Sequence, residues 1–221
     1  MSRPGMSRIR ALIIALGVWL LGGLSTTSAH PHSWIDLRVI VKFNENGEIT
    51  ALEQRWLMDP FASALWLDGM DRDMPEAARE EKLDQAAAEA LERVSRHDYF
   101  TKVKHGDEEI PHAKARNPKL ESDQRQRLQL QFELVLEEPV DPGKAPLRYA
   151  VYDPTYYIEI LHAESDSIRL QGGGLHCDLH IDSPSPDPQK VAYAASLGVD
   201  VQPDRDLGQH FAEWAEISCA Q

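Results

Sequence analysis

Cysteine is scarce in this chain: Cys177 and Cys219 are the only two among 221 residues. No C-x-x-C pair exists, so the sequence offers no dithiol motif of the redox type. Basic residues are also few, 23 Lys and Arg against 36 Asp and Glu. The G-x-S-x-G, P-loop, H-E-x-x-H and Rossmann glycine signatures are all missing. Ser33, Ser63 and Ser95 stand in no recognisable nucleophile setting. Long apolar runs are missing too, apart from Ala11–Leu24, and nothing later in the chain is apolar enough to span a membrane.

The single apolar run has a specific setting. Arg3, Arg8 and Arg10 precede it with no acid nearby, and "STTSA" follows it. Thr27 and Ala29 then occupy the small-residue positions of a cleavage site. This is the layout of a secretory signal peptide over residues 1–29, removed to leave a domain over residues 30–221. The rival reading is an uncleaved N-terminal anchor, but the run is shorter than the roughly 18–20 residues a spanning helix needs. No lipobox cysteine precedes the cut, which argues against a lipoprotein.

Export bounds the rest. The mature chain of 192 residues suits one domain with a proper core and is small for a two-lobed solute-binding protein. It keeps 20 basic and 36 acidic residues, a net charge of −16. Such a surface repels nucleic acid and anionic lipid and attracts cations weakly. An even cysteine count in an exported chain points to a Cys177–Cys219 disulfide, with a pair of thiolate metal ligands as the alternative.

Periodicity supplies the elements. From Ser33 to Phe43, Ile35, Leu37, Val39, Val41 and Phe43 share one face, as in a half-buried strand. Asn46-Gly47 signals a hairpin turn into a strand over Ile49–Met58. Asp59-Pro60 breaks it before a short helix. A long helix is expected from an Asp73 cap to about Arg96, with Leu83, Ala87, Ala90, Leu91 and Val94 as its apolar stripe. Strands are expected over Tyr99–Lys104, Ile110–Ala115, Leu128–Leu136, Leu147–Tyr152, Tyr156–His162 and Leu175–Ile181. A helix over Gln189–Leu197 and a helix or mixed segment over Leu207–Glu216 close the chain. The fold class is α+β: a largely antiparallel sheet with helices packed on one side, in a single domain.

Nine histidines in an acidic exported chain are the main candidates for chemistry. His30 and His32 lie two apart on an extended segment, so their side chains leave the same face, and Asp36 follows on that face. Two imidazoles and a carboxylate suit Zn²⁺, Ni²⁺, Co²⁺ or Cu²⁺. A mature start at His30 would add its α-amine. Pro31 has no amide hydrogen, which blocks the square-planar mode through deprotonated backbone amides, and it favours an extended segment with both rings turned outward. The bland reading is a pair of polar residues on a frayed terminus. The remaining histidines are weaker candidates. His97 beside Asp98 suits a helix end, His105 and His112 flank a turn, and His162 or His180 could complete a site. His176 and His210 carry no usable signal. Asp59 and Asp153, each before a proline, read as turn starters.

The stretches "HPHSWIDLRVIVKFNENGEITALEQRW", "DPFASALWLDGMD", "HDYFTKV", "VYDPTYYIEI" and "DLGQHFAEWAEISC" resemble an exported bacterial family labelled domain of unknown function one thousand and seven. That family is often described as an ABC-type transport-system periplasmic component. The resemblance implies association with NicO-type nickel/cobalt permeases, or with zinc acquisition. It carries His30, His32 and Asp36 as the residues of interest. The expectation is therefore a periplasmic, non-enzymatic accessory of zinc, nickel or cobalt transport. It would work with a NicO-type or ABC-type permease of the inner membrane and bind no nucleic acid. Two alternatives stand beside it. One is a copper redox enzyme built on an N-terminal histidine. The other is a metal-free partner that stabilises a membrane transporter through an exposed apolar patch.

Overall fold

In a computed structural model of the chain, residues 30–68, 70, 73–173, 176–198, 201, 203 and 206–220 are described. The expected leader, residues 1–29, and its cleavage site lie outside the described residues.

The described residues open with two strands that the alternating pattern placed correctly. Strand β1 (Ser33–Phe43) buries Ile35, Leu37, Val39, Val41 and Phe43 on one face. Gly47 takes a φ of +79° in the turn, where the Asn44 side chain accepts the N–H groups of Asn46 and Glu48. Strand β2 (Ile49–Met58) returns antiparallel, Ile35 opposite Met58 and Phe43 opposite Ile49.

Helix α1 (Pro60–Asp68) follows at once, capped by Asp59, whose carboxylate accepts the N–H groups of Phe61 and Ala62. Helix α2 (Glu76–Ser95) lies against the later strand Arg116–Ser122 and buries Ala87, Ala90 and Leu91. Its cap is Pro75, in extended geometry and with no side-chain cap bond, not the expected Asp73. Asp73 stands two residues too early, and Pro75 needs no N–H partner there.

The expected strand at Ile110–Ala115 does not form. Pro111 has no N–H to donate, and the segment makes a single bridge, His112 to Leu136. The strands around it are β3 (Thr101–His105), β4 (Glu108–Glu109), β5 (Arg116–Ser122) and β6 (Leu128–Val140). Tyr99 lies outside β3, in a short 3-10 turn, and its hydroxyl receives the Ala115 N–H. The remaining strands are β7 (Leu147–Val151), β8 (Ile158–His162), β9 (Ile168–Gln171), β10 (Cys177–Asp182) and β11 (Trp214–Cys219), with helix α3 (Pro188–Ser196) after β10. The closing segment Leu207–Glu216 resolves into a 3-10 turn at Gly208–His210 and the start of β11.

Pairing divides these strands into two sheets. One runs β5-β6-β2-β1-β8, with β9 also on β1; the other runs β10-β11-β7-β3-β4. Most pairs are antiparallel, while β8 and β9 run parallel to β1. The apolar faces share one core, with Leu37, Phe132 and Leu134 from the first sheet and Leu147, Tyr149 and Ile217 from the second. The α+β class holds. A smaller cluster of Tyr156, Ala194, Leu197 and Leu207 joins α3 to the loop before β8. Among the described residues no helix is long and apolar enough to cross a membrane.

Candidate metal centre

The first site residues sit where β1 meets β8. Ser33 is paired with Ile158, and the His32 N–H donates to the Tyr157 carbonyl at 2.9 Å. Tyr157 is held in place by the turn before it. Asp153 accepts the Thr155 N–H, the Thr155 hydroxyl and the Ile158 N–H, and is itself buried. It starts the turn as its Asp-Pro sequence predicts. Asp59 is the corresponding residue at the head of α1, and its carboxylate also takes the Ser33 hydroxyl and the Trp34 N–H.

His30 and His32 converge. Their ring centroids are 4.4 Å apart in an edge-on arrangement, and the Tyr157 ring stands 4.8 Å from His32 and 5.8 Å from His30. The expectation that both rings point outward is corrected, because His30 is only 7% exposed. The His30–Pro31 peptide is cis. Both ring nitrogens of His30 and Nε2 of His32 are buried without a hydrogen-bond partner. Burial and then the neighbouring His32 lower the His30 pKa. The Leu197 backbone and the Asp153 carboxylate act the other way and are outweighed. The Leu197 backbone is therefore close to the ring, but no hydrogen bond of good geometry reaches either nitrogen.

Two touching imidazoles with three buried, unsatisfied nitrogens suit an electron-pair acceptor such as a divalent transition metal. A buried polar atom without a partner costs about 1–3 kcal/mol, so three of them call for a reason.

Asp36 is not brought to the pair. Its carboxylate is held by the Arg127 guanidinium at 2.8 Å, and the same side chain donates to the Met58 and Leu57 carbonyls. Those bonds lock the end of the β1–β2 ladder. Among the described residues no three His, Cys, Asp or Glu side chains form a metal-binding group.

Three of the other histidines have ordinary partners, while His112, edge-on to Tyr99, keeps a buried Nδ1 without a hydrogen-bond partner. His162 is buried, with Nε2 against the Tyr149 hydroxyl at 3.0 Å and Nδ1 against Glu213 at 2.9 Å. Burial raises the Tyr149 pKa well above its ordinary value. Burial would raise Glu213 as well, but hydrogen bonds from the His162 ring and backbone outweigh it and hold that carboxyl below its usual range. Both His162 nitrogens are engaged, so it does not complete the centre. His180 pairs with Asp182 on the surface, and His105 contacts the Asp141 carbonyl. Cys177 and Cys219 form the expected disulfide across β10 and β11, which removes the thiolate alternative.

The residues that pattern reading missed are Tyr157, Asp153 in its supporting role, and Leu197. "VYDPTYYIEI" held a signal, since an Asp-Pro turn leading into paired tyrosines and a strand fixes a ring at the strand's entry. Nothing in the sequence linked Leu197 to His30.

The sequence model of the family described as "Protein of unknown function (DUF1007)" matches residues 15–219. The chain belongs to this family. A relative from Haemophilus influenzae, described as an uncharacterized protein, is 27% identical over 217 residues, covering 93% of this chain and 97% of the relative.

Proposed function

We propose that this chain is an exported, periplasmic accessory of transition-metal transport, which holds a metal ion on His30 and His32 and works with a membrane permease. The observation that carries this reading is the pair of touching imidazoles with three buried nitrogens lacking partners. Neutral imidazole nitrogens suit Zn²⁺, Ni²⁺ and Co²⁺. A two-imidazole set leaves most of a metal's positions to water, to an α-amine on a processed His30, or to a recipient's side chains. Such a site suits hand-over better than permanent storage, and the reading is of a carrier, not a catalyst. The disulfide is consistent with an oxidising compartment.

One observation favours a second reading. The Tyr157 ring lies against both imidazoles, so a copper ion bound there would have a phenol beside it. Redox turnover with copper on a processed chain would support that alternative.

The test is calorimetric zinc titration of the exported form, its first residue read by intact mass. His30→Ala and His32→Ala are each expected to lose most of the affinity, and the double variant little more, because ligands of one ion act as a unit. Unchanged affinity in the double variant would refute the site. A mature start beyond His32 would refute it as well.

A further inference from the structure

Helix α1 is apolar on nearly every side; its sequence, PFASALWLD, carries no charge before Asp68. Ser63 faces the domain, where its hydroxyl receives the Leu128 N–H and donates to the Asp59 carbonyl. Phe61 and Leu65 are each two residues from Ser63, about 200° round the helix, and one turn from each other. They face outward, 69% and 62% exposed. Trp34, 49% exposed, stands at the base of the same helix. Its backbone is tied there through Asp59, which takes the Trp34 N–H on its carboxylate and gives its own N–H to the Trp34 carbonyl.

The flank of this helix is basic. Arg79 and Arg125 line a hollow with Pro60, Ala64, Leu67 and Met70, and Asp68 and Gln126 complete it, so the arginines outnumber its one acid. In a chain of net charge −16 after the expected cleavage, a helix whose one charge is the terminal Asp68, with two guanidinium groups beside it, stands apart from the rest of the surface. The point where the chain enters the domain adds a geometric constraint. The leader's apolar run ends at Leu24, six residues before His30. Six residues span at most about 20 Å. On the export route expected from the sequence, His30 emerges within that distance of the bilayer.

We propose that α1 and Trp34 form a membrane-contact surface whose occupant is the headgroup–acyl boundary of a phospholipid bilayer. Phe61 and Leu65 enter the apolar boundary. Trp34 sits at the interface, where indole rings are favoured, and Arg79 and Arg125 meet lipid phosphates. The acidic remainder of the domain opposes anionic membranes, so a zwitterionic surface is the preferred partner. The contact needs no metal and stands independently of the His30–His32 site.

The experiment is flotation of the exported chain from His30 onward with phosphatidylcholine vesicles, with and without phosphatidylglycerol. The wild type is expected to float with phosphatidylcholine and to gain nothing from the anionic lipid. Phe61→Ser/Leu65→Ser is expected to reduce the partition coefficient on the order of 10- to 100-fold, from the apolar area lost. Its unfolding midpoint and zinc affinity should stay at wild-type values, so failure here is distinct from failure of the metal reading. Absence of wild-type binding would overturn the proposal. So would binding that survives in the double variant. A wild-type dimer that the double variant abolishes, with no lipid binding, would assign the face to a second copy of the chain and likewise overturn it.

Discussion

Replacing His30 with leucine separates a ligand from a structural histidine. The ring is buried, and neither nitrogen has a hydrogen-bond partner. An unpaired buried polar group costs about 1–3 kcal/mol, and an apolar side chain of similar volume removes that cost. The loss of edge contacts with His32 and Tyr157 offsets part of the gain. The expected result for the metal-free chain at about pH 8 is therefore a stability gain of roughly 1 kcal/mol, or a Tm rise of about 2–4 °C. Lowering the pH should widen the difference. The folded pKa of His30 lies below its ordinary value of 6.5, through burial and then His32. Below that ordinary value the unfolded chain takes up a proton that the native chain does not, so wild-type stability falls with pH until His30 titrates in the fold. Leucine carries no such proton, and the gap at about pH 5.5 should exceed the gap at about pH 8. Zinc at about 100 times its dissociation constant should add about 2.7 kcal/mol to the wild type and nothing to the variant. The assay is urea unfolding at both pH values, with and without zinc. A loss of 1 kcal/mol or more in the metal-free variant at the higher pH would refute the reasoning, since it would mean that partners hold the ring for the fold's sake.

Two further outcomes test the surroundings. A Cβ at Gly208 would lie 1.9 Å from the Asp153 carbonyl oxygen, and the Gly208 N–H donates to the Pro154 carbonyl at 2.9 Å. Gly208→Ala should therefore cost about 2–4 kcal/mol in urea unfolding and loosen the turn behind Tyr157, whereas a cost below about 0.5 kcal/mol would contradict the contact. Cys177→Ser/Cys219→Ser opens a loop with a sequence separation of 42. The loss expected from chain entropy is about 4 kcal/mol, and alkylation of either thiol in the unreduced, denatured wild type would show that the bond is not made.

The sequence by itself determined the elements whose apolar residues repeat at the period of a strand or helix. β1 and β2 follow from alternation and an Asn-Gly turn, and the face of α2 follows from Ala87, Ala90 and Leu91. An even cysteine count, read together with the expected leader, led to the disulfide in the same way. Local pattern failed where pairing depends on distant chain. β9 is four residues long, too short for a periodic signal, and exists because β1 offers it an open parallel edge. Pro111 removed a strand that apolar content suggested. At the site, spacing brought His30 and His32 to one face, but spacing cannot say whether that face meets water or protein. The tertiary structure decided this, by laying the Asp153–Tyr157 turn beside both rings and Leu197 close to His30. It also gave Asp36 to Arg127, 91 residues away in sequence. A carboxylate binds the nearest well-oriented cation in the folded chain, and folding alone determines which cation that is.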